Sequence, residues 1–219
     1  MLRAVIAREL QAYWLSRYEA LQSLAVFAVV VVLFPLGLDP EPTQLALIAP
    51  AVLWGSALLA CVFGLETLFR QELRDGWLDQ ALTGRWPLPL LLAIKLAVHW
   101  LYSGAPICLA AGAAGLALGL SDAAAHVAML SLLLGTPTLV GLGSVAAALT
   151  ANLTGGAMLS ALLVLPLYVP VLVFGASAIT LAQAGQGAQA PLYLLGCLLL
   201  MTLMLAPLAS AVALRAVSE

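Results

Sequence analysis

AAAHVAMLSLLLGTPTLVGLGSVAAAL (123–149) begins a run in which charge disappears. From residue 123 to residue 214 there is no Asp, Glu, Lys or Arg, and His126 is the only ionisable side chain besides Tyr and Cys. The hydrocarbon core of a bilayer takes about 20 apolar residues per helical span. The run is several times that length, so it must fold back through a membrane. Two links, LTGGA (153–157) and QAGQGAQA (183–190), carry turn residues and no charge. They divide the run into spans of about Val127 to Leu149, Ala157 to Ala182 and Pro191 to Leu214.

Upstream, the same reasoning places spans at about Ala20 to Leu38, Thr43 to Leu65 and Leu88 to Leu120. The last is long enough to tilt or to break near Pro106. Of the 219 residues, 64% are hydrophobic and 8% charged, against about 25% charged in soluble domains. No soluble catalytic domain fits in what remains, and the net charge of −2 implies no nucleic acid. Cys61, Cys108 and Cys197 stand singly in apolar segments, without the spacing of a redox or zinc motif. They read as small packing residues, and no metal site is expected. The first 18 residues place Leu2, Val5, Ile6, Leu10, Tyr13 and Trp14 on one helical side, opposite Arg8 and Gln11. That pattern suits a helix lying on the membrane surface. FPLG ends the following apolar run where a signal peptide would show a small-residue cleavage site.

With six spans, Arg3, Arg8, Arg17, Arg70, Arg74, Arg85 and Arg215 all fall on one side, and Lys95 sits near that end of the third span. The opposite loops hold Asp39, Glu41, Asp122 and His126. The positive-inside rule makes the basic side, with both termini, cytoplasmic. One cytoplasmic loop, 66–86, differs from the others. Leu65, Leu68, Phe69 and Leu73 form a helical stripe beside Arg70, Glu72, Arg74 and Asp75, and Gly76 is placed to end that helix before Trp77. It reads either as a surface helix joining two spans or as a docking helix for a cytoplasmic partner. In the second reading Glu66, Phe69, Arg70, Glu72, Arg74, Asp75 and Trp77 make the contact. No Walker A motif is present, and the sole lysine stands in Ala-Ile-Lys-Leu. If ATP drives this protein, another chain binds it.

Inside the spans, Lys95 and His99 are one turn apart on the third. Lys95 can reach the cytoplasmic interface or pair with Glu66; His99 reads as a hydrogen-bonded packing residue or as a haem ligand or gating residue. Ser103, one turn further, lacks any hydrolase context, so no catalytic residue is assigned. The fourth span carries Gly135-Thr136-Pro137-Thr138, and the fifth Pro166 and Pro170. Proline frees backbone carbonyls that neighbouring Thr hydroxyls can satisfy. Lys95, His99, Thr136 and Pro137 are the candidates for a pathway or gate.

FPLGLDPEP (34–42), IAP (48–50) with Trp54, LETLFRQELRDGWLDQ (65–80), PLPLLLAIKLAVHW (87–100), LLLGTPTL (132–139) and LPLYVPVLVF (165–174) follow one another along nearly the whole chain. In this order they resemble the CcmB family, the permease subunit of the haem exporter complex of cytochrome c maturation. The resemblance implies an all-α polytopic fold of six transmembrane helices, similar to ABC-2 type permeases, with an N-terminal interfacial helix and one permease domain over 1–219. It implies an inner-membrane location and partnership with the cytoplasmic ATPase CcmA, the membrane subunits CcmC and CcmD, and the haem chaperone CcmE. It also implies a homodimer in the membrane lipid. The loop 66–86 becomes the ATPase contact, ATP stays on the partner, and haem is a transported or partner-bound ligand. His99 and His126 receive no role from it. The alternatives are a permease for a lipid, polysaccharide or drug, and a non-transporting scaffold for the ATPase.

Overall fold

A computed structural model describes residues 17–38, 41–65, 68–69, 86–153 and 156–218. Among these, six helices follow in order: α1 (Arg17–Leu38), α2 (Pro42–Leu65), α3 (Leu88–Ala117), α4 (Asp122–Leu149), α5 (Gly156–Gln183) and α6 (Gln189–Ser218). The amphipathic segment expected over 1–18 lies outside the described residues, except for the first turn of α1.

Five helices, α2 to α6, are long and apolar enough to cross a membrane. At about 1.5 Å per residue, the 28 residues of α4 exceed a hydrocarbon core of about 30 Å. α1 differs from the other five, because its apolar stretch is Leu21–Gly37, shorter than theirs. The fourth span starts at Asp122 rather than Val127, and the sixth extends from Gln189 to Ser218. Apolar counting finds the part in lipid, whereas a helix continues until its backbone is capped.

Two caps show what stops these helices. Gly119 and Gly185 have φ of 83° and 70°, conformations that L side chains rarely adopt. Past Gly119, the Leu120 N–H donates to the Gly115 carbonyl at 2.9 Å; past Gly185, the Gln186 N–H donates to Leu181 at 2.8 Å. Both are Schellman closures. α3 therefore ends at Ala117 and is one uninterrupted helix through Pro106, not two pieces. α4 then starts on Ser121, whose hydroxyl accepts from the Ala124 N–H at 3.3 Å, with Asp122 in the favourable first turn. The Ser121 N–H donates to Gln183 Oε1 at 2.9 Å, tying the start of α4 to the end of α5.

α4 is the hub. It packs on α2, α3, α5 and α6, while α1 packs chiefly on α2 and α3. Its composition explains the place: Gly135, Gly141, Gly143, Ser144, Ala146, Ala147 and Ala148 are buried on it. Small residues let helix backbones approach where lipid leaves van der Waals packing as the main driving force. Ser144 Oγ and Ser210 Oγ meet at 3.0 Å across the α4–α6 contact.

Candidate functional site

Two groups of polar residues lie on different flanks of α3. Lys95 and His99 are 4% and 3% exposed, so both nitrogen-bearing side chains of this helix turn are inside the protein. On that flank α1 and α2 close in. A Cβ added at Gly64 would sit 3.5 Å from His99 Nε2 and 3.7 Å from Ser23 Oγ, so Gly64 lets the α2 backbone lie against the imidazole. Ser23 is itself buried. Ser103 donates its hydroxyl to the His99 carbonyl at 2.8 Å, which occupies it within its own helix. Glu66, the expected partner of Lys95, lies outside the described residues.

The other flank faces α4. Trp100 donates its indole N–H to Thr136 Oγ1 at 2.9 Å, and Cys108 Sγ lies 3.5 Å from the same oxygen. Gly104 makes this possible, since a Cβ there would run into the Trp100 ring. Thr136 Oγ1 thus accepts a bond that joins α3 to α4. Thr138 donates to the Leu134 carbonyl at 2.9 Å. Neither hydroxyl bonds the Leu133 carbonyl, the group that Pro137 deprives of its helical partner; the expected repair of the kink by these threonines is not what occurs. Thr138 sits four residues after Leu134, so its back-bond is local, while Thr136 Oγ1 accepts from Trp100 of α3.

Of Lys95, His99, Thr136 and Pro137, one lines the cavity found among the described residues. Pro137 lines a cavity of about 340 Å³ between α3, α4 and α6, whose wall includes none of the other three. Among the described residues no three His, Cys, Asp or Glu side chains come together as a metal site would need. His126 is exposed, and its Nδ1 lies 2.6 Å from the Asp122 carbonyl of its own helix.

Of the loop residues assigned to a partner contact, Phe69 is the one described. It is 3% exposed and, with Leu68, belongs to the hydrophobic core. The ring anchors the start of the loop. Glu66, Arg70, Glu72, Arg74, Asp75 and Trp77 lie outside the described residues.

A third assembly was not legible as such in the sequence. Trp54 of α2 is fully buried and donates its indole N–H to Ser131 Oγ at 3.3 Å. A Cβ at Gly135 of α4 or at Gly175 of α5 would collide with its ring. Tyr168 of α5, also fully buried, donates its hydroxyl to the Leu139 carbonyl at 2.7 Å. The strings around Trp54, 87–100, 132–139 and 165–174 therefore converge on one stretch of α4. Each glycine stands where an aromatic ring needs its space, a signal visible in sequence only as Gly beside an apolar run.

This arrangement of long apolar helices around a small-residue hub, with aromatic side chains bonded across helices, defines a multi-pass α-helical membrane protein. A family model described as "CcmB protein" matches residues 1–217. The chain belongs to the CcmB family. It is 46% identical to heme exporter protein B of Paracoccus denitrificans over 193 residues, 88% of each chain. It is 41% identical to heme exporter protein B of Pseudomonas aeruginosa over 211 residues, 96% of this chain and 95% of that one. With the protein of the same name from Rhodobacter capsulatus it shares 40% over 214 residues, 98% of both.

Proposed function

We propose that this chain is the membrane permease subunit of an ABC-type complex of cytochrome c maturation. It couples ATP hydrolysis by a partner, CcmA, to haem delivery and release of the haem-loaded chaperone CcmE, in company with CcmC and CcmD. The observation that carries this reading is the family match along residues 1–217, with relatives named heme exporter protein B over nearly their whole length. The chain's own chemistry agrees. It has no Walker A motif, so the energy of transport comes from another subunit, and loop 66–86 is the long basic–acidic link between spans for that subunit to grip.

In this reading the fold is an ABC-2 type permease of six transmembrane helices, with residues 1–18 as a surface helix, both termini cytoplasmic and two copies per complex. Glu66, Arg70, Glu72, Arg74, Asp75 and Trp77 make the ATPase contact, and Phe69 holds the loop to the bundle. Lys95 pairs with Glu66 where α2 leaves the membrane. Lys95, His99, Thr136 and Pro137 tune the helix movements that follow.

The test is co-purification of the assembled complex with an ATPase assay. Arg70→Glu, Arg74→Glu and Trp77→Ala together should detach the ATPase or uncouple its turnover, since central interface residues cost about 2 kcal/mol or more when truncated. Unchanged binding and turnover sink the loop assignment. Deleting the gene should leave holo-chaperone accumulating and holo-cytochrome c absent; normal cytochrome c removes the function itself. Reversing charge at Lys95 and at Glu66 singly should weaken assembly, and the double reversal should restore it if the two side chains pair.

A further inference from the structure

The cavity between α3, α4 and α6 has the properties of a ligand site that the reading above does not use. Its wall is made where small side chains, Ala97 and Gly141 among them, meet two prolines, Pro137 of α4 and Pro207 of α6. Both prolines lie in the middle third of their helices, so the cavity sits at the depth of the bilayer core. Leu133 and Leu203 border it and are 44% and 58% exposed; the opening therefore faces sideways, toward lipid.

The polar content of the wall is small. The Trp100 N–H is already given to Thr136. Thr202 is 7% exposed, its Cγ2 faces Gly141, and no hydrogen bond of its hydroxyl occurs among the described residues. A hydroxyl on a helix can turn back to the carbonyl of the preceding turn, so Thr202 demands no polar ligand. No charged residue lines the cavity.

We propose that this cavity holds the hydrocarbon tail of one bilayer phospholipid, making α3, α4 and α6 the walls of a lipid site within the protein. Other occupants fit poorly. A partner's helix is about 10 Å wide with its side chains, and α3, α4 and α6 are in direct mutual contact around the void. Haem brings an iron and two carboxylates, for which the wall supplies neither ligand nor cation. A hydrocarbon tail needs no polar partner, and each methylene restores the dispersion contacts that an empty void forfeits.

The complex, reconstituted in phosphatidylethanolamine–phosphatidylglycerol vesicles doped with a phospholipid carrying a diazirine in its tail, is irradiated and its labelled peptides mapped. Label is expected on Trp100 and Leu199, besides the lipid-facing reference positions Leu109 and Met204, which are 71% and 74% exposed. Ala97→Leu and Ala206→Leu fill the cavity from different helices. Each should remove most of the cavity label, because the added side chain takes the space the tail would occupy, while label at Leu109 and Met204 stays. No label on cavity residues of the unaltered protein, or cavity label that persists in both variants, overturns the proposal. So does a photo-crosslinker at position 203 that captures a protein chain instead of lipid. These outcomes concern lipid alone and leave the haem-delivery reading standing.

Discussion

Trp54 shows how much of this protein rests on single side chains. Its ring is fully buried and lies where any Cβ at Gly135 or Gly175 would collide with it. Trp54→Ala should cost about 3–5 kcal/mol, as for other large aromatic deletions. Gly175→Ala should cost about 1–3 kcal/mol through overpacking. Denaturation in mixed micelles measures both, and a neutral Gly175→Ala would mean the ring has room to retreat. The Trp100–Thr136 bond is best weighed by a double-mutant cycle with Trp100→Phe and Thr136→Val. A coupling of about 0.6–1.7 kcal/mol is expected from interhelical hydrogen bonds in membranes. A coupling near zero would mean that this bond does not hold α3 to α4. At this scale the sequence exposed the residues but not their partners. Gly135 and Thr136 were visible as a motif, yet that one seats Trp54 and the other binds Trp100 depends on helices far apart in the chain.

For the helices, the decisive residues sit at the ends. Gly119 and Gly185, at positive φ, close α3 and α5, and an Ala at either should destabilise by about 1–2 kcal/mol, the cost of a left-handed L-residue. Ser121→Ala should remove about 1 kcal/mol with the N-cap of α4. Equal stability of all three variants in thermal melts would show that packing, not capping, sets these boundaries. Span positions were legible to within a few residues because burial in lipid demands a minimum apolar length. The ends moved because caps obey backbone hydrogen bonding, which lipid hydropathy does not report. α3 runs unbroken through Pro106 since the proline removes one donor and neighbouring helices hold the rest.

Across the whole molecule, the question left by the helices is sidedness. Five helices meet the length of a full crossing, and α1 carries a shorter apolar stretch. If α1 crosses, the termini share a side; if it does not, they are opposed. We expect reporter fusions at residues 1 and 219 both to be cytoplasmic, and a periplasmic signal from either would cancel the six-span topology along with the sidedness of loop 66–86. The uncharged run from 123 to 214 by itself determined that the chain folds repeatedly through a membrane, because no other solvent accepts so many apolar residues without a charge. The ordered strings likewise determined the family. Only the tertiary structure decided that α4 is the hub, that Lys95 and His99 turn away from Thr136 and Pro137, and that a cavity opens between α3, α4 and α6. Inside a bilayer every span is apolar on all sides, so hydropathy places a helix in the membrane without saying which face meets which neighbour. That choice is made by close packing of small and aromatic side chains, and packing exists only once the helices have met.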